Sequence, residues 1–309
     1  MLRILRTWGL MIAFLTGGLL PELHVLSFVI PFGVATMLTI TFLGLDTRQM
    51  RPQWRHGAIL AGNVMLGLGP WVLLRALGYP DLAEAAFYAG MAGEAASAPV
   101  IVHMLGGKTE FACTGLVLNS LTSALSFCVF IPLLIGTRTG DVPLGTLFAD
   151  VTQQVFGMLL FPCILAFLLR RVCPESRNWS KKLKDVSFTI WMVCMVIVAA
   201  AAVYRVQSGS SGWHEICPTA ATMGLLCLCG FCLGRLIGGR RLGMECGQCL
   251  GQKNATVGIY LAMNYSAPLV FLGPSLYLFF HHIYSTWQMV QHGRRKKAQR
   301  PCQRANTSA

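Results

Sequence analysis

Gly90-Met91-Ala92-Gly93-Glu94-Ala95-Ala96-Ser97-Ala98-Pro99 lies within an apolar run extending from about residue 82 to about residue 104. A run of about 20 apolar residues crosses a bilayer as a helix, yet this one carries a carboxylate, small residues and a proline at its middle. Pro99 has no N–H, so it frees a carbonyl near residue 95, and the glycines around it permit unwinding. A second stretch has the same character: Glu245-Cys246-Gly247-Gln248-Cys249-Leu250-Gly251-Gln252-Lys253-Asn254-Ala255-Thr256, within the run from about 243 to 264. A charge at mid-bilayer is expensive and by default functional, so Glu94 and Lys253 become candidate functional residues. Gly93, Pro99 and Gly251 are the expected helix breaks.

Outward from these two stretches the chain keeps one pattern, long apolar runs parted by short charged joints. The expected spans fall at about 4–21, 25–45, 57–77, 82–104, 111–135, 145–170, 186–205, 216–238, 243–264 and 267–288. Of the 309 residues, 54% are hydrophobic and only 12% charged, about half the charge of an ordinary soluble domain. Within lipid, backbone polar groups must be satisfied internally, which excludes open sheets. The expected fold is therefore an all-α polytopic membrane protein of about ten transmembrane helices. Met1 to Leu20 combines Arg3 and Arg6 with an apolar run. No small-x-small cleavage site precedes Pro21, so it reads as a retained first helix.

The basic residues set the orientation. With a cytoplasmic N-terminus, 21 of the 25 Lys and Arg residues fall on the cytoplasmic side, as the positive-inside rule requires. Arg48, Arg51, Arg55 and His56 read as topology determinants, and both termini are expected in the cytoplasm of a cell inner membrane. The net charge of +13 is thereby explained without nucleic acid. The tail from residue 291 to 309 reads as a disordered, solvated basic segment attracted to anionic headgroups.

Five spans precede about residue 140 and five follow it, and an odd number per repeat forces the second copy to be inverted. The boundaries are 1–140 and 141–290, and the interrupted runs are the fourth member of each half. Paired breaks near the midplane are where inverted-repeat transporters bind solute. The alternative is a proline kink with small residues for close helix packing. If Glu94 and Lys253 meet, they form a structural salt bridge, a coupling element or both. Otherwise Glu94 is a proton carrier, and Lys253 binds an anion or takes the place of a coupling cation. Gln252 and Asn254 are amides able to donate and accept, and Thr256 extends that polar face or caps a half-helix. Ser97 offers an oxygen at the first break. Asn119 stands out in the polar stretch of span five, while Glu245 is either a site residue or an interfacial charge answering Arg240 and Arg241. Asn63, Gln153 and Gln154 read as interhelical hydrogen-bonding amides, and His103, His281 and His282 as near-interface polar groups. Cys227, Cys229 and Cys232 lie mid-span with no histidine nearby and read as small hydrophobes.

The chain resembles the bile acid:sodium symporter superfamily, in particular its bacterial members. The likeness rests on Phe42-Leu43-Gly44-Leu45-Asp46, on Ala96-Ser97-Ala98-Pro99 with the Asn119 region, and on Gly251-Gln252-Lys253-Asn254 leading into Ala255-Thr256-Val257-Gly258. It implies interrupted helices four and nine that cross, a core domain of spans three to five and eight to ten, and a panel domain of spans one, two, six and seven. It also implies a candidate sodium site near Ser97, Asn119, Glu245, Gln252 and Asn254. The family's motif carries a glutamate where Cys249 stands, has no lysine where Lys253 stands, and has an asparagine at Ala98. These departures put at least one sodium position in doubt.

No nucleotide-binding glycine loop with a lysine is present, and no catalytic arrangement emerges from loops this short. The expectation is a secondary active transporter, not an enzyme, that moves a small organic anion or related solute by alternating access, either coupled to sodium or protons or uncoupled, and needing no other cofactor. The rival is a non-transporting membrane sensor or scaffold whose polar core is only structural.

Overall fold

The computed structural model describes residues 12–44 apart from 14, 47–135, 145, 149, 161–208, and 212–306 apart from 268. Half of the expected first span, Leu45 and Asp46, Gln153 and Gln154, and most of the first part of the sixth span lie outside the described residues. Within them the regular structure is helical, with one isolated backbone bridge between Glu94 and Lys253.

A 3-10 stretch, Pro21–Phe28, runs into α1 (Val29–Leu43). Then come α2 (Trp54–Ala76), α3 (Pro80–Met91), α4 (Ser97–Met104), α5 (Thr109–Leu134), α6 (Phe161–Val172) and α7 (Lys184–Ser208), followed by α8 (Trp213–Gly251), α9 (Ala255–Tyr265) and α10 (Leu272–Asn306). Among the described residues, four helical segments are long and apolar enough to cross a membrane: Pro21–Leu43, Trp54–Ala76, Thr109–Leu134 and Trp213–Gly251. The run expected as span four is divided between α3 and α4, of 12 and 8 residues. Each is too short to cross a hydrocarbon core of about 30 Å at 1.5 Å per residue.

α8 is a hairpin rather than one rod. Gly239 has φ 59 and ψ −150, a conformation open essentially to glycine alone. The chain reverses there, and a Cβ on Gly234 would run into the Cys246 carbonyl in the returning arm. The two arms correspond to the expected eighth and ninth spans. His56 differs from its expected surface role, being only 2% exposed. Its Nδ1 accepts the Gln53 N–H at 2.9 Å, which leaves Nε2 to donate to the Phe111 carbonyl at 3.1 Å. The start of α2 is thereby fastened to α5.

Burial divides into three apolar clusters. The largest joins α2, α3, α5, α8, α9 and α10 through residues such as Ile59, Phe87, Phe127, Phe231, Leu250 and Tyr277. A second packs Met37 of α1 and Trp191, Cys194 and Met195 of α7 against Val100 and Ile101 of α4. A third joins Leu38, Phe42 and Leu43 of α1 to Cys113 and Leu116 of α5 and Ala166 of α6. On the outside of α5, Leu121, Leu125, Val129 and Leu133 are 52, 59, 52 and 72% exposed. Their spacing of four residues makes an apolar stripe along one helix face, fit for lipid and not for water.

The close contact of α2 and α3 depends on Gly90, where a Cβ would collide with the Leu66 carbonyl. Gly90→Ala is expected to lower the thermal midpoint of the detergent-purified protein, at a cost of about 1–3 kcal/mol typical of overpacking. Gly57→Ala, at a helical position with no atom near the new methyl, is expected to leave stability unchanged or raise it by up to about 1 kcal/mol. Equal effects at the two positions would contradict the packing described.

Candidate functional site

Two interruptions lie against each other. α3 ends at Met91 and Ala92 turns extended, with φ −52 and ψ 137. α8 ends at Gly251, and Gln252 is extended with φ −89 and ψ 117. The unwound segments run antiparallel and share two backbone bonds. Ala95 N–H donates to the Gln252 carbonyl at 2.9 Å, and Asn254 N–H donates to the Gly93 carbonyl at 2.7 Å. Pro99 does not kink a continuous helix. It is the third residue of α4, within the first turn, where the missing N–H breaks no intrahelical bond. The carbonyl expected to be free near residue 95 accepts the Ala98 N–H at 2.9 Å.

The two charged side chains leave the bridge in different directions. The Lys253 ammonium, 1% exposed, donates to Asn63 Oδ1 on α2. Asn63 Nδ2 in turn donates to the Met91 carbonyl at 3.0 Å, which also accepts from Ser123 Oγ at 2.8 Å. Glu94 is directed at α5, where its carboxylate lies against Gly115 and faces the Cys249 thiol. Neither of its oxygens has a nitrogen or oxygen hydrogen-bond partner among the described residues. Glu94 and Lys253 are thus neighbours through the backbone without a direct side-chain ion pair.

The remaining candidates fall into three places. Ser97 Oγ donates to Gln252 Oε1 at 2.8 Å. Gln252 Nε2 then donates to Gln248 Oε1 and to Ser285 Oγ, and Gln248 Nε2 donates to Gln288 Oε1. Asn119 is fully buried on α5 beside Gly93, its Nδ2 3.5 Å from the Cys249 carbonyl and its Oδ1 without a hydrogen-bond partner among the described residues. Glu245 stands apart from the breaks and accepts the Lys108 N–H at 2.9 Å, steadying the start of α5.

A cavity of about 470 Å³ opens on the other face of the crossing. Ala95, Ala96, Ser97, Asn254, Ala255 and Thr256 form one wall, and Ile30, Met37, Trp191 and Met195 form the opposite wall. His281 and His282 of α10 complete it, buried at 0 and 3% exposure rather than near an interface. His281 Nδ1 accepts the Lys253 N–H at 3.4 Å. α4 and α9 both begin at this wall, and helix N-termini carry partial positive charge with N–H groups lacking intrahelical partners. The wall therefore offers dipoles and neutral polar groups to a solute; Lys253 also lines the cavity, with its ammonium engaged by Asn63.

Sequence reasoning places Ser123 in the polar stretch of span five without singling it out, and it misses Gln248, Ser285 and Gln288. The spacing of Gln248 and Gln252, one helical turn apart within an apolar run, was the available signal. Asn63 was singled out as an interhelical amide but not as a partner of Lys253.

Residues 63–208 match the family model described as Sodium Bile acid symporter family. No curated protein matches the chain.

The Asn63–Lys253 contact generates a stability prediction. Asn63→Leu is expected to cost about 1.5–3 kcal/mol, the range for a hydrogen bond to a charged group. Lys253→Met in the same chain is expected to cost less than its effect alone, because removing both partners leaves no orphan between them. Losses that add in the double variant, measured by denaturant or thermal unfolding, would show that the side chains do not interact.

Proposed function

From the match of residues 63–208 to the sodium bile acid symporter family model, we propose that the chain is a member of that family and a secondary active transporter of a small organic anion. Membership would make it a membrane transport protein rather than an enzyme. The observation that carries the finer reading is the cavity of about 470 Å³ set against two adjoining half-helix N-termini. Its volume suits a small molecule. Ile30, Met37, Trp191 and Met195 would take an apolar body, while Ser97, Asn254 and Thr256 with the starts of α4 and α9 would hold an anionic group. Lys253 also lines the cavity and adds positive potential there, its ammonium held by Asn63.

The proposed cycle is alternating access. Helices α2, α3, α5, α8, α9 and α10 share one apolar cluster, to which α1 and α7 contribute no residue among those described; these two meet the rest through smaller clusters with α4, α5 and α6. That division supports a core moving against a panel, with the cavity between them. The full proposal has about ten spans in two inverted repeats, 1–140 and 141–290, followed by the tail at 291–309. Helices four and nine cross at the bridge of Glu94 and Lys253, and both termini are cytoplasmic. Support comes from the matching place of the two breaks and from the basic bias of one set of joints.

Binding should stabilise the purified protein, by about 2.7 kcal/mol for a ligand at one hundred times its Kd. Carboxylates with compact apolar bodies are expected to raise the thermal midpoint, and their uncharged amides to do so much less. Ser97→Phe should abolish the shift by filling the cavity. Carboxylates that stabilise the protein should also be taken up by proteoliposomes containing it. Binding without uptake would favour the sensor, and equal stabilisation by amides would contradict anion recognition.

A further inference from the structure

The unwound segments, residues 92–96 and 252–254, hold one acid and one base, Glu94 and Lys253. Their formal charges cancel with no bound ion. Lys253 is 1% exposed and Glu94 fully buried, and the antiparallel bridge holds their backbones together. A buried charge persists only when compensated. Here each compensates the other through the crossing while their side chains remain apart.

Sodium, the ion in the family's description, would need converging oxygen ligands. The Asn63 Oδ1 atom is taken by the Lys253 ammonium, and Gln252 Oε1 accepts Ser97 Oγ. The Glu245 carboxylate holds the Lys108 N–H, and Asn254 lines the cavity. These oxygens are committed elsewhere or face the cavity, only Asn119 Oδ1 and the Glu94 carboxylate stay without a hydrogen-bond partner beside the crossing among the described residues, and the acceptor on α2 already holds a positive group of the chain itself.

We propose that the Lys253 ammonium is a tethered cation, held by Asn63 at the crossing, which replaces a dissociable sodium ion as the counter-charge of Glu94. The solute is consequently moved without sodium. That second statement rests on the transport reading; the first does not. A tethered ion is present in every state of the protein, so the crossing stays neutral whether or not solute is bound and whatever the sodium gradient.

The test compares thermal midpoints of the purified full chain in sodium chloride and in choline chloride at equal ionic strength, for the wild type, Lys253→Gln and Glu94→Gln. The wild type is expected to melt within about 1 °C in the two salts, and Lys253→Gln to melt lower in choline and recover by about 2 °C or more in sodium. A wild-type gain above about 2 °C in sodium, lost in Glu94→Gln, would overturn the proposal by placing an exchangeable ion among the unpartnered oxygens of Glu94 and Asn119. A Lys253→Gln protein as stable as the wild type in both salts would also overturn it. Should that variant not fold, equilibrium dialysis of the wild type against radioactive sodium decides, since saturable binding refutes a tethered cation and its absence supports one. None of these readouts needs a transported solute. A failure of the transport reading, seen as no uptake of any anion, is therefore distinct from a failure of this one.

Discussion

Two backbone hydrogen bonds, from Ala95 N–H to the Gln252 carbonyl and from Asn254 N–H to the Gly93 carbonyl, are the constraint on which the rest of the arrangement depends. Unwound backbone surrounded by apolar groups leaves polar atoms that cost several kcal/mol each when unsatisfied. Either interruption alone would carry that penalty. Set antiparallel, each supplies what the other lacks. Neighbouring side chains along extended backbone point to opposite faces. The Glu94 carboxylate and the Lys253 ammonium are accordingly directed into the helix packing, while Lys253 still joins Ala95 and Asn254 in lining the cavity.

The helix ends exposed by the breaks are held by side chains from elsewhere. The Met91 carbonyl that ends α3 receives Asn63 and Ser123, and the Gly251 carbonyl that ends α8 receives the Tyr277 hydroxyl at 2.8 Å. The amide chain through Gln252, Gln248 and Gln288 joins α8 to α10. These bonds lie within the larger cluster and make the crossing a firm unit. Across the cavity, α1 and α7 meet it mainly through apolar contacts, such as those of Trp191 and Met37. Such contacts are non-directional and tolerate sliding, whereas the bonds within the crossing do not.

Much of this was legible in the sequence. Helical class, apolar spans and the two interrupted segments follow from hydropathy and from glycine and proline inside it. That Gly93 and Gly251 lie at the breaks was also legible, because those residues allow extended backbone and close approach. The exact use of Pro99 was not, since a proline reads alike at a kink and in a helix's first turn. Nor could hydropathy show that Lys253 seeks Asn63 and Glu94 seeks α5, because partner choice depends on which helices pack together. His281 and His282 were expected near an interface on residue type alone, and the path of α10 beside the cavity buries them. Glu245 had the right charge and roughly the right place, yet its hydrogen bond to Lys108 N–H sets it apart from the breaks.

The central claim, that the wall formed by the two breaks is the surface a solute meets from each side of the membrane in turn, is tested most directly at Thr256, an exposed residue of that wall. Thr256→Cys would be introduced into a chain whose native cysteines have been replaced, reconstituted, and treated with a membrane-impermeant thiol reagent from either side. The account predicts labelling from both sides, with a bound anion slowing each. Labelling from one side only, unaffected by any anion, would contradict it.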